Sequence, residues 1–149
     1  MRASLKRGGI MTMIVWRTID DNPWLGLPRE IVSRYLPKPG AGARTCGPGL
    51  FSMADQDLVS RQLEIAGYEE IRFERIDAPL MVGSTVEDAI NFQLALGPAG
   101  EVYREAGAIA IQRDAEIRAA LAAELRKYAT PDGIVMQSSS WKIRARNPG

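Results

Sequence analysis

Ile10-Met11-Thr12-Met13-Ile14-Val15-Trp16 is the stretch on which the fold turns. Its side chains are nearly all apolar and do not alternate with polar ones. The run is short and rich in β-branched residues, which favours a strand buried on both faces over part of a helix. Gly8-Gly9 directly before it signals a turn. Such a strand belongs inside the sheet of an α/β domain, and the other elements can be placed outward from it.

Downstream, Asn22-Pro23-Trp24 and Leu27-Pro28 read as helix breakers, with a short helix from about Arg29 to Tyr35 that Pro37 and Pro39 end. Residues 37–49 form a Gly/Pro-rich loop. A clear helix follows, N-capped by Asp55, with Leu58, Val59, Leu63 and Ala66 on one face and Gly67 as a left-handed C-cap. Residues 69–76 alternate as a strand. Ser84-x-x-Glu87 reads as a capping box, opening a helix that Gly97-Pro98 ends. A short helix at about 99–106 and a longer one at about 111–129 precede the turn Thr130-Pro131-Asp132-Gly133. Residues 134–146 make the last strand, with Trp141, Ile143 and Ala145 alternating with Lys142, Arg144 and Arg146.

The chain has 149 residues, enough for a single domain. Its 19 basic and 18 acidic residues leave a net charge of +1, which gives no footprint for nucleic acid. No apolar run reaches the roughly 18 residues of a membrane span. The lone cysteine, Cys46, cannot form an intrachain disulfide, which fits a reducing cytoplasm. There is no histidine. That removes Ser-His-Asp and Cys-His nucleophile pairs, two-histidine zinc sites and the commonest general base.

The local motifs mostly reduce to architecture. Gly40-x-Gly42 and Gly47-Pro48-Gly49 lack the preceding strand that a dinucleotide loop needs. Ser139-x-x-Lys142 has the spacing of a nucleophile motif that works at a helix start, but it falls in a strand. Asp55 and Asp57 suit a helix N-terminus, so no metal site is assigned. Lys142, Arg144 and Arg146 read as a solvated strand face. Trp16, Trp24 and Phe51 flank the region beyond the first strand's C-terminal end, where open α/β sheets bind ligands. They are candidates to line a pocket, with ordinary core packing as the competing reading.

Taken in order, these pieces resemble a known family. Leu5-Lys6-Arg7-Gly8-Gly9 leads into the strand ending Trp16-Arg17. Then come Asn22-Pro23-Trp24, the Gly/Pro loop, Phe51-Ser52-Met53-Ala54-Asp55 and a helix ending Ala66-Gly67-Tyr68. Leu94-Ala95-Leu96-Gly97-Pro98, Thr130-Pro131-Asp132-Gly133 and a Trp141-bearing strand close the series. The order is similar to the C-terminal half of class I S-adenosylmethionine-dependent methyltransferases of the small-molecule type. The resemblance implies a partial Rossmann-like sheet in which residues 10–16 are the fifth strand, 69–76 the sixth and 134–146 the seventh. The seventh would be antiparallel and inserted between the other two, and residues 84–129 would form a helical insertion before it. Arg7 stands where the family usually has proline.

The resemblance also implies which half the chain does not encode: the first four strands, with the Gly-rich loop and acidic residues that hold S-adenosylmethionine. No catalytic or cofactor-binding residue therefore carries over. The cofactor is not expected to bind this chain alone. Trp16, Arg17, Asn22, Trp24 and Phe51 remain as residues that would line the site of a small-molecule methyl acceptor. The strand at 10–16 would lack a neighbour. Exposing three or four of its side chains forfeits about 5–10 kcal/mol, against a total domain stability of about 5–15 kcal/mol. A homo-oligomer or a complementing chain joined through this strand is expected. The alternative function is a non-catalytic methyltransferase-like module for dimerisation or regulation.

Overall fold

A computed structural model describes residues 5–37 and 49–149. Among the described residues the chain is α/β, with six α-helices and a mostly antiparallel open sheet of four strands. The elements are β1 (Ile10–Trp16), α1 (Pro23–Tyr35), α2 (Gln56–Ile65), β2 (Glu69–Gly83), α3 (Val86–Ala95), α4 (Gly97–Glu105), α5 (Ala108–Gln112), α6 (Asp114–Leu125), β3 (Ala129–Thr130) and β4 (Gly133–Arg146). The strand order is β1-β4-β2, with β3 paired to β4 in a hairpin. No helix of the described residues is long and apolar enough to cross a membrane.

The described residues form two compact units. Unit 1 comprises 5–21, 49–78 and 139–149, and unit 2 comprises 22–37 and 79–138. In unit 1, β1 runs antiparallel to β4, with Ile10 opposite Arg146 and Trp16 opposite Ser140. The side-chain pairs Glu69–Arg146, Glu74–Lys142 and Asp77–Ser139 run in opposite sequence directions along β2 and β4. The same antiparallel sense therefore holds for that pair. Helix α2 starts as expected, because Asp55 accepts from the N–H groups of Asp57 and Leu58. It ends at Gly67, whose φ of 82° favours a residue with no Cβ. Met11, Tyr68 and Ala145 form a small buried cluster, with Leu5, Met13, Leu63 and Ile71 packed against it.

Burial of β1 on both faces does not hold. Met11 is buried, but Ile10 is 52% and Ile14 66% exposed. The strand lies at the end of the sheet order, and α2 packs on the face that carries Met11. Successive strand residues point to opposite faces, so Ile10, Thr12 and Ile14 share the other one.

Unit 2 packs α1 on α4 and α6, and α3 on α4 and α6. Its core includes Val32, Ile90, Ile117, Leu121, Leu125 and Met136. Helix α1 corrects the reading of its two prolines. It starts at Pro23 and not near Arg29, because proline fits the first helical turn, where its missing N–H costs nothing. Pro28 lies inside the helix and is buried. It cannot donate to the carbonyl of Trp24 four residues back. The buried Gln93 side chain supplies a donor there, Nε2 to Trp24 O at 2.8 Å.

The capping box of α3 is one residue later than expected. Thr85 and Asp88 form it reciprocally, and Ser84 Oγ donates to Asp88 as well. Gly83 precedes it for a steric reason, since a Cβ there would lie 2.4 Å from the Ala89 nitrogen. The long helix expected at 111–129 is instead α5, α6 and a 3-10 turn at Arg126–Tyr128. The strand expected at 69–76 continues to Gly83. Gly40, Gly42, Cys46, Gly47 and Pro48 lie outside the described residues, as does most of the loop expected at 37–49.

Candidate functional site

The largest concentration of polar chemistry in unit 1 lies where β1 ends. The backbone N–H of Arg17 donates to Ser139 O at 3.1 Å, continuing the β1–β4 ladder by one residue. This pairing puts the two side chains on one face, and Arg17 Nη1 donates to Ser139 Oγ at 2.9 Å. β2 brings Asp77 to the other side of the same serine, whose hydroxyl donates to Asp77 Oδ1 at 2.5 Å. Arg75, two residues along β2, approaches both carboxylate oxygens through Nε at 2.9 and 2.7 Å.

The turn after β1 closes the network. Thr18 Oγ1 donates to Asp21 Oδ2 at 2.6 Å, and Asp21 Oδ1 lies 3.1 Å from Arg17 Nη2. Arg75, Asp77, Ser139, Arg17, Asp21 and Thr18 thus form one continuous chain of contacts. The Arg17 guanidinium also stands over the Trp141 ring, 4.6 Å from its centroid. Trp141 is itself fixed by an edge contact with Phe73 at 6.0 Å and by donating from Nε1 to Ala54 O at 3.0 Å.

The electrostatics favour orientation over acid–base work. The hydrogen bond from Arg75, and then that from Ser139, hold the Asp77 carboxyl below its ordinary value of 3.8. Arg75 is correspondingly raised by Asp77. A general base works best with a pKa near the operating pH, and Asp77 is moved the other way. Ser139 is buried, with its proton directed at this weak base. The assembly therefore holds the half-buried Arg17 in one pose against an aromatic plane. Among the described residues no group of three or more histidine, cysteine, aspartate or glutamate side chains is arranged to hold a metal ion.

The structure distributes the residues singled out from sequence between the two units. Arg17 is the hub of this network. Trp16 and Phe51 are half-buried in unit 1. Asn22 and Trp24 are buried in unit 2, where Trp24 Nε1 donates to Asn22 Oδ1 at 3.2 Å and its ring stacks on Phe92 at 6.3 Å. Arg75, Asp77, Ser139 and Trp141 were not assigned to a site from sequence. The one available signal was Ser138-Ser139-Ser140, a run of small polar residues in a strand that is otherwise largely buried. Lys142 and Arg146 pair with Glu74 and with Glu69 and Glu70, as a solvated strand face requires.

Unit 2 has a cavity of about 190 Å³ lined by Leu27, Ile31, Tyr35, Ala120 and Ala123, with the pairs Glu30–Arg34 and Glu124–Lys127 beside it. It is smaller than the roughly 300–1,000 Å³ of ordinary small-molecule pockets. No family model matches the chain, and the curated proteins give no match.

Proposed function

We propose that this chain is the substrate-side C-terminal portion of a class I S-adenosylmethionine-dependent methyltransferase, working in the cytoplasm on a small-molecule acceptor. The observation that carries the reading is the strand order. The family resemblance requires the last strand to be antiparallel and to lie between the two that precede it in that half of the sheet. The order β1-β4-β2, with β4 antiparallel to β1, has that form. Helices between β2 and β4 answer to the expected insertion.

On this reading Arg17, with Trp16 and Phe51, lies toward the acceptor. The Asp77–Ser139–Asp21 network keeps the guanidinium oriented as an acceptor is positioned. Among the described residues no strand runs directly into a Gly-rich turn and a helix. β1 runs instead into Arg17-Thr18-Ile19-Asp20-Asp21. No residue is assigned to S-adenosylmethionine, whose reactive methyl would be presented by a half of the fold not found among the described residues. The edge of β1 that would face that half takes up another strand.

The test is complementation. Mixing the chain with a polypeptide carrying the cofactor-side strands of a class I methyltransferase should produce calorimetric binding of S-adenosylmethionine and methyl transfer. Tight binding of the cofactor by this chain alone would contradict the reading. So would the absence of an acidic Gly-rich segment from both the in-frame upstream codons and any separate chain that complements this one.

A further inference from the structure

The free edge of β1 has a definite chemical pattern. Among the described residues β4 pairs with it on one side, and no strand lies on the other. Hydrogen-bonded pairs alternate along an antiparallel ladder, and Arg17 N–H to Ser139 O fixes the phase. Met11, Met13 and Val15 therefore bond to β4. Ile10, Thr12 and Ile14 aim their N–H and C=O groups away from it. The same three residues carry the side chains of the face that α2 leaves open. The strand contains no charged residue and no proline, the usual devices that stop an edge from pairing.

Residues 10–14 read Ile-Met-Thr-Met-Ile, which is the same in both directions. We propose that a second copy of this chain occupies the edge, with β1 pairing antiparallel to the partner's β1 about a two-fold axis at Thr12. A two-fold interface must be complementary to itself, and a palindrome satisfies this residue by residue. Ile10 meets the partner's Ile14, Met11 meets the partner's Met13, and Thr12 meets the partner's Thr12. The phase of the ladder agrees, because these even-numbered pairs are the ones whose backbone groups point outward. Cross-strand pairs of β-branched residues stabilise a sheet, and the exposed isoleucines are covered by each other. A strand of unrelated sequence would satisfy the hydrogen bonds but would leave the palindrome without a use. This inference goes beyond the methyltransferase reading and does not require it; the two occupants compete for one edge, so a cofactor-side half that complements the chain displaces the partner's β1.

Light scattering between micromolar and about 100 µM should give a mass twice the 16.4 kDa of one chain. Thr12→Lys should return it to the monomer with an unchanged circular dichroism spectrum. Cysteine pairs read the register in a Cys46→Ser background. Thr12→Cys should oxidise to a covalent dimer, since paired Cα atoms about 5.5 Å apart suit a disulfide. Ile10→Cys alone should crosslink at least about tenfold more slowly, while a mixture of Ile10→Cys and Ile14→Cys should form the mixed dimer. A monomer at the highest concentration overturns the proposal. So does a dimer in which Thr12→Cys fails to crosslink. If Thr12→Lys does not fold, the crosslinking pattern alone decides. A monomer that still binds S-adenosylmethionine on complementation would leave the methyltransferase reading standing and remove this one.

Discussion

The two units use similar side chains to different ends. In unit 2, Val32, Ile117 and Leu121 are fully buried, and the buried Gln93 side chain donates to Trp24 O. In unit 1, burial is confined to one face of β1, where Met11 lies beneath Tyr68 and Ala145. The isoleucines of the other face stand in water. Exposed apolar residues elsewhere, such as Ile111 and Leu96, are scattered, as on any protein surface. On β1, Ile10 and Ile14 share one face with Thr12 between them, along an edge that no strand pairs with among the described residues. Unit 2 thus carries a filled core, whereas in unit 1 β1 lies at the end of the strand order with one face exposed.

Substitutions can break or sharpen this contrast. The largest effect is expected at Leu121→Ala in unit 2, which should lose about 2–5 kcal/mol by urea denaturation. Ile14→Ala, examined at monomer concentration, should stay within about 0.5 kcal/mol of the parent. Comparable losses at the two sites would erase the distinction between a filled core and an open face. Next comes Gln93→Leu. It removes the donor that compensates for Pro28, at an expected cost of about 1–3 kcal/mol. Replacing Pro28 by Ala in the same background should recover part of that loss, because a helical N–H becomes available to Trp24 O.

Smaller effects belong to unit 1. Ser139→Ala severs the link between Asp77 and Arg17 and should cost about 0.5–1.5 kcal/mol. It also has a pH signature. The folded Asp77 pKa lies below its ordinary value of 3.8, so its stabilising contribution is present above that value and is lost as pH falls through the lower folded pKa. Removing the serine donor should move the Asp77 carboxyl titration, followed by NMR, upward toward 3.8. No upward movement would mean that the serine hydrogen bond does not act on the carboxylate. The smallest effect is expected at Tyr68→Phe. The Tyr68 hydroxyl is buried and has no hydrogen-bond partner among the described residues, so its removal should leave stability unchanged or raise it by up to about 1 kcal/mol.

What was legible in the sequence follows the range of the interactions involved. The Asp55 cap, the Gly67 C-cap and the turn at 130–133 are set within a few residues, and each is found where local chemistry places it. Pro23 was misread because proline both breaks helices and starts them, and only the following turn of chain distinguishes the two. The network around Arg17 was not legible beyond Arg17 itself. Ser139 lies 122 residues from Arg17 and 62 from Asp77, and no periodicity links residues so far apart. The apolar character of residues 10–16 identified a strand but not that one of its faces is exposed, because a strand covered on both faces and one covered on a single face can be composed alike; its place at the end of the order β1-β4-β2 was an expectation of the family resemblance alone.

The central claim, that β1 offers its outer edge to another strand, is tested most directly by residue-resolved amide hydrogen exchange over a range of protein concentrations. The Met13 amide, bonded to β4, should be protected at every dilution. The Thr12 amide should exchange freely in dilute solution and gain protection as concentration rises. Equal protection of both amides at the lowest concentration would show that the chain already covers this edge itself, and the account would fail.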